Sequence, residues 1–302
     1  MTSFLDYARR GRTDWWRYAL VWVIAVVGGS VLGGVILVAL QFSGVAGGDI
    51  AAEILKPSHP ALFFGGNGIV FAALVLGFAV AAWLIQGKRF GDIVGRWSWR
   101  LFLIGAGLWL AIQTVGSLVD YALAPHDFRV SAGPGTGVLA VSAFLGLGAQ
   151  TFAEEFVFRG YLTQSLLLAL KRPLPAAILS GLIFGSLHIP NGTPQAINAV
   201  IFGVITALIA IRTGGIAFTF GLHMVNNLWG AVVVVSASDV FKGSPGLFSQ
   251  SSPHLLGWDV AIGAVALAVV WWLVRMRVET GGGAALRPLR LGARKSADPP
   301  PP

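Results

Sequence analysis

Between Tyr18 and Leu40 the chain runs 23 residues without a charge. A helix of that length is about 34 Å long, enough to cross the roughly 30 Å hydrocarbon core of a bilayer. No water is at hand there to satisfy backbone N–H and C=O groups, so a lone apolar run has one stable form, the helix. Seven more apolar runs follow, at about 61–86, 100–120, 137–170, 174–189, 195–212, 214–236 and 257–275. The run at 174–189 is short for a span. The run at 137–170 is long, so it tilts, breaks at its polar stretch or extends beyond the bilayer. Lys56-Pro57, Pro173 with Pro175, Pro190-Asn191-Gly192 and Ser244-Pro245-Gly246 interrupt the runs. The expected fold class is all-α, a polytopic transmembrane helical bundle of about eight spans.

Charge sets the orientation. Only 11% of the residues are charged, against about 25% in a soluble domain. Arg9, Arg10, Arg12 and Arg17 precede the first run, which is long for a signal-peptide core and is read as a first span that doubles as the export signal. Lys88, Arg89, Arg96 and Arg100 lie in the second connection, Lys171 and Arg172 in the fourth, and Arg212 in the sixth. Arg275, Arg277, Arg287, Arg290, Arg294 and Lys295 follow the last run, whereas the other connections hold only Lys56, Arg129 and Lys242. This alternation places both termini in the cytoplasm. The net charge of +8 thus belongs to loops beside anionic lipid; a lipid bilayer is an expected partner and nucleic acid is not. The tail from Glu279 is Gly-, Arg- and Pro-rich and is expected to be disordered, a topology anchor without chemistry. The absence of cysteine excludes disulfides, thiolate metal sites, a cysteine nucleophile and a lipoprotein anchor.

One apolar run breaks the rule against charge. Ala153-Glu154-Glu155-Phe156-Val157-Phe158-Arg159-Gly160 brings two carboxylates and a guanidinium into the fourth run. At membrane depth each costs roughly 2.5–3.5 kcal/mol, so such groups are rare and usually functional. Glu155 and Arg159 are four apart and can pair on one helix face. Glu154 is turned about 100° away. The arginine can therefore hold Glu155 as a carboxylate and leave Glu154 for chemistry. On its own the octet also fits a buried structural ion pair.

The histidines sort by position. His59, His126 and His254 fall in connections, where a solvated loop histidine is the default, while His188 and His223 fall in apolar runs. A lone histidine there is more often a packing group; two of them, following the Glu-Glu-x-x-x-Arg helix, are harder to dismiss. Glu154 is 17 residues before Lys171 and His188 is 16 after Arg172. In a hairpin turning at Lys171–Pro173 both lie about 25 Å from the turn. His223 lies 11 residues beyond Arg212, about 16 Å, and Asn227 follows one turn later on the same face. Gly181 and Gly185 make a small-x-x-x-small face for close packing of the His188 helix.

These groups suit water activation and amide hydrolysis. A carboxyl group in apolar surroundings can serve as a general base near neutral pH. Neutral histidines bind a divalent metal or polarise a carbonyl, and an asparagine amide can donate to an oxyanion. No His-Glu-x-x-His helix, Gly-x-Ser-x-Gly elbow or Walker A loop is present.

Glu154-Glu155-x-x-x-Arg159, Phe184-x-x-x-His188 and His223-x-x-x-Asn227, in that order, resemble the three motifs of the CPBP family, which holds the type II CAAX prenyl endopeptidases and the bacterial Abi-type intramembrane proteases. The resemblance covers about residues 137–236. It implies a membrane endopeptidase acting on a peptide or membrane-protein substrate. Glu154 would be the catalytic base, His188 would help to activate the water, His223 and Asn227 would be oxyanion or metal-side partners, and Glu155 and Arg159 would support them. It leaves open a divalent metal, zinc being the expected ion, held by Glu154, His188 and His223. The chain then divides into three helices and loops over 1–136, a four-helix catalytic core over 137–236, a loop and last span over 237–278, and the basic tail over 279–302. Composition fits a bacterial plasma membrane. The competing readings are a non-catalytic scaffold or bacteriocin-immunity protein and a proton-coupled transporter, which also use intramembrane Glu and His.

Overall fold

The computed structural model describes residues 3–44, 49–56, 59–251 and 256–280; His254 and the tail beyond Thr280 lie outside them. The helices are α1 (Phe4–Ala8), α2 (Trp15–Phe42), α3 (Ile50–Glu53), α4 (Pro60–Gln86), α5 (Phe90–Val94), α6 (Trp99–Leu123) and α7 (Thr136–Glu154). Then come α8 (Thr163–Leu170), α9 (Pro173–Ser186), α10 (Thr193–Thr213), α11 (Ala217–Leu228) and α12 (Leu256–Thr280). A π-helical segment, Glu155–Leu162, joins α7 to α8 without a break, and a second, Trp229–Val233, extends α11. Each apolar run forms helix. Five helices, α2, α4, α6, the continuous α7–α8 and α10, are long and apolar enough to cross a membrane. The chain is an all-α polytopic bundle and an integral membrane protein. Local chemistry sets the ends: α4 and α10 each carry Pro in the first turn and stop at a left-handed glycine, Gly87 (φ 72°) and Gly214 (φ 84°).

The bundle has two distinguishable ends. At one end, α1 packs Phe4, Leu5 and Ala8 against Leu167 and Ala176. The basic residues gather there: Arg212 Nη2 donates to the Arg275 carbonyl (3.1 Å), and the backbones of Gly95 and Gly215 meet in a β-bridge. At the other end, β1 (Phe128–Val130), β2 (Val234–Ser236) and β3 (Phe248–Gln250) form a sheet in the order β1-β3-β2, antiparallel then parallel. An all-α expectation does not contain this sheet. It arises because connection backbones must pair somewhere.

Two further differences from the sequence reading concern the α1 end. The first is α1 itself, expected only as a basic flank. Ser3 and Asp6 form a capping box that starts it, and Lys88, 1% exposed, donates from Nζ to the carbonyls of Ala8 (2.9 Å) and Tyr7 (3.3 Å) at its C-terminal end. Arg10 pairs with Asp92 at 2.7 Å. The second is the height of the α9–α10 hairpin. Ile93 of α5 touches the helix at Gly160, where a Cβ would stand 2.8 Å from its carbonyl oxygen, so α8 runs on past α5 and α9 starts from beyond it. α9 reaches the level of Arg159 at Phe184, ends at Ser186, and α10 begins at Thr193. From Glu154, α7 continues 18 residues to Thr136, about 27 Å. The 187–192 turn therefore stops partway up the bundle instead of reaching its sheet end.

Burial pushes the Lys88 ammonium down to about 8 from the usual 10.5. The folded-state value lies below the unfolded one, so between these pH values the unfolded chain binds more protons and stability rises with pH. The melting temperature of the wild type minus that of Lys88→Met, measured in detergent, is expected to increase from about pH 7 to about pH 10; a difference independent of pH would remove Lys88 as a buried charge.

Candidate active site

The site lies where α7, its π-helical continuation, α9, α10 and α11 meet. The π segment begins at Glu155, and such wide turns recur at functional sites. It is supported from the side: the Phe158 carbonyl accepts from Thr163 Oγ1 (2.7 Å), five residues on, and from Ser180 Oγ of α9 (3.2 Å). α9 in turn lies close on α10, because a Cβ at Gly181 or Gly185 would stand 2.6 Å from Val204 N or 2.9 Å from Val200 N.

Glu155 and Arg159 are fully buried and pair across four residues, Nε to Oε1 at 3.4 Å. Arg159 Nε also donates to Thr206 Oγ1 of α10 (2.9 Å), and its guanidinium lies 4.1 Å over the Phe184 ring and 5.4 Å from that of Phe202. The same Glu155 Oε1 meets His223 Nδ1 at 2.9 Å. A carboxylate only accepts, so Nδ1 carries the proton there. The opposite nitrogen, Nε2, stands 3.5 Å from Glu154 Oε2, and Glu154 Oε1 accepts from Gln150 Nε2 at 3.0 Å. Arginine, glutamate, histidine, glutamate and glutamine thus form one line. Glu154, at its half-buried position, faces His223 where the spacing left it unpartnered.

One turn further along both helices, Asn227 Nδ2 donates to Thr151 Oγ1 at 3.4 Å. Thr151 opposite Asn227 and Glu155 opposite His223 are the register of two antiparallel helices, α7 and α11. Asn227 Oδ1 accepts from Asn226 Nδ2 (3.2 Å), whose own Oδ1 accepts from Trp109 Nε1 of α6 (3.1 Å).

His188 is placed differently. It lies just past the end of α9, half-buried, with Nδ1 at 2.9 Å from the Phe184 carbonyl. Phe184 stands between the two imidazoles, 4.6 Å from the His188 ring and 6.1 Å from that of His223. Among the described residues, His188 makes no hydrogen bond or ion pair to Glu154 or His223, and no group of three or more His, Asp or Glu side chains is arranged to hold a metal ion. Of the expected donor set, the structure brings Glu154 and His223 together and places His188 apart from them. The physical reason is that the Phe184 carbonyl and ring hold the His188 imidazole aside. His59 and His126 stay in the connections, each exposed beside an acidic neighbour, Glu53 (3.0 Å) and Asp127 (3.6 Å).

Gln150, Thr151, Thr206 and Asn226 were not singled out by the sequence. Gln150 stands four before Glu154, so helical spacing contains that signal. Thr206 lies 47 residues from its partner, beyond the reach of any local pattern.

Fold and site together describe an integral membrane protein with a buried Glu–His–Glu cluster, and across about a third of its length the chain is similar to CAAX-type endopeptidases. Residues 136–229 match the family model described as Type II CAAX prenyl endopeptidase Rce1-like, which bears out the resemblance over the stretch that carries the motifs. A protein of Bacillus subtilis (strain 168), described as "Uncharacterized protein YyaK", is 24% identical over 292 residues, covering 90% of this chain and 96% of its own. No solved structure matches the chain.

Proposed function

We propose that this chain is an intramembrane endopeptidase that hydrolyses peptide bonds of membrane-associated or membrane-delivered substrates by water activation at Glu154 and His223. The observation that carries the reading is the placement of His223 between two glutamates, Nδ1 on Glu155 and Nε2 facing Glu154. Arg159 pairs with Glu155, and Glu155 fixes the imidazole by its Nδ1–H. Glu154 and His223 Nε2 then act as one proton-holding unit beside the scissile bond. In the first step the unit takes a proton from water as the oxygen adds to the carbonyl carbon. In the second it returns that proton to the amine nitrogen as the C–N bond breaks. Asn227, one turn away, supplies an amide N–H for the oxyanion.

The test is cleavage of a peptide library by purified protein, read by mass spectrometry against a Glu154→Ala variant. Products from the wild type alone support the reading; identical patterns overturn it in favour of a non-catalytic role. The home is a bacterial plasma membrane with the α1 end in the cytoplasm, on the Lys/Arg distribution. Reporters fused after Leu40 and after Ser236 are expected on the non-cytoplasmic side, and a cytoplasmic signal from either would break this topology.

A further inference from the structure

Two indoles tie α6 to the helix that carries His223. Trp109 Nε1 donates to Asn226 Oδ1 (3.1 Å), and Trp229 Nε1 donates to Ser117 Oγ (3.0 Å). The two helices touch backbone to backbone near the first of these bonds. A Cβ at Gly105 would strike the Phe218 carbonyl, and one at Gly221 would strike the Phe102 carbonyl. Trp109 is 5% exposed, and its ring meets that of Phe202, which also flanks His223 at 4.8 Å. The indole is thus fixed in place one helix away from the Glu–His cluster, outside residues 136–229. Polar bonds between membrane helices commonly serve as glue. The bond at Ser117 fits that role. The bond at Asn226 does more, because it sets a polarity.

A carboxamide can turn over with little change of shape, which exchanges an acceptor for a donor. An indole has no such freedom, since its N–H only donates. The Asn226 atom that faces Trp109 is therefore the oxygen. Asn226 Nδ2 is then turned towards Asn227, 3.2 Å away, and because Nδ2 only donates, the Asn227 atom there is Oδ1. Asn227 Nδ2 is left on the other side, where it meets Thr151 Oγ1 at 3.4 Å. Thr151 is fully buried, and a hydroxyl donates or accepts, so it tolerates Asn227 in either orientation. The direction of the Asn227 amide is decided from α6, by the one group of this line that cannot be reversed. Asn227 Nδ2 carries two hydrogens. One is directed at Thr151, and the other has no acceptor among the described residues, on the helix face that also bears His223.

We infer that Trp109 and Asn226 are positioning residues for hydrolysis: Trp109, through Asn226, holds the Asn227 carboxamide with its N–H groups, and not its oxygen, towards the reacting carbonyl. This rests on the proposed role of Asn227 as donor to the oxyanion. Reversed, Asn227 would set an oxygen against the developing negative charge, and a stabilising contact would become a repulsive one. That charge develops only as the transition state is reached. The alignment therefore acts on kcat and leaves KM in place.

The test is steady-state cleavage by the full-length protein in detergent, with a peptide that the wild type cleaves. Trp109→Phe keeps a ring and removes the N–H, so both amides are free to turn over. Its kcat is expected to fall about tenfold, the upper worth of one neutral hydrogen bond, at unchanged KM. Asn226→Asp keeps the shape and still accepts from Trp109, but it offers Asn227 only an acceptor and draws the Asn227 N–H groups away from the site. Its kcat is expected to fall about 10²-fold, as when an oxyanion donor is lost. The double variant should be no slower than Asn226→Asp alone, because a single relay is broken once. A bond that only glues α6 to α11 would lower the melting temperature and leave kcat of the folded protein in place. Unchanged kcat in the folded single variants, or additive losses in the double variant, would overturn the inference; if Trp109→Phe does not fold, Asn226→Asp decides. A second measurement needs no turnover. In protein carrying isotope-labelled asparagine, Trp109→Phe should shift the side-chain NH₂ resonances of both Asn226 and Asn227 and leave that of Asn198 in α10 unmoved. An Asn227 resonance that stays in place would overturn the relay. Failure of the wild type to cleave any peptide would overturn the enzymatic reading, and the resonances would still decide whether Trp109 aligns Asn227.

Discussion

Glu154→Gln is expected to lower peptide cleavage by about 10²–10⁴-fold, the usual contribution of a positioned general base, with little change in melting temperature. Glu154 is the one carboxylate of the line that touches no permanent cation. Its contacts are Gln150 at 3.0 Å and His223 at 3.5 Å, and glutamine keeps the shape and an oxygen for the first of them. What is lost is the ability to take a proton. Glu155→Gln makes the contrast. That carboxylate touches both Arg159 and His223, so its loss removes a charge partner and frees the imidazole, and stability and activity should fall together. Thermal unfolding in detergent and cleavage of the same peptide separate the two variants. Normal turnover by Glu154→Gln would remove Glu154 as the base and shift the role to His223 or His188.

The sequence made the membrane bundle legible because eight apolar runs separated by breakers admit few other folds, and because charge in apolar helix is conspicuous. Glu155 with Arg159, and Gly181 with Gly185, were readable since each pair is four residues apart within one element. What one element's spacing cannot express is which neighbour a side chain meets. His223 bridging both glutamates, Thr206 behind Arg159 and the aside position of His188 all depend on helices packed side by side. Counting residues from Lys171 did place Glu154 and His188 at similar heights. It did not reveal that α8 passes beyond α5, which leaves the α9–α10 turn inside the bundle. The docking of α1 escaped notice for a related reason: five residues carry too short a pattern, and their partners, Leu167, Ala176 and Lys88, are distant in the chain.

Arg159→Ala is expected to be among the most destabilising single changes in the protein. Removing one partner of a buried ion pair costs about 3–5 kcal/mol, because the other charge is left without compensation. Here Glu155 is fully buried, and among its remaining neighbours His223 is also needed at Glu154. The loss extends beyond the pair, since the guanidinium also packs on the Phe184 ring at 4.1 Å and bonds Thr206 at 2.9 Å. A structural clamp makes a second, sharper prediction. Replacing both partners, as in Glu155→Gln with Arg159→Met, removes the stranded charge and should regain part of the stability lost in Arg159→Ala. It should not regain cleavage, because the imidazole has lost its anchor. Melting temperatures of the two single variants, the double variant and the wild type form the cycle that measures this coupling. If Arg159→Ala melts with the wild type, the guanidinium is not holding the fold, and a role in gripping the substrate carbonyl would take its place.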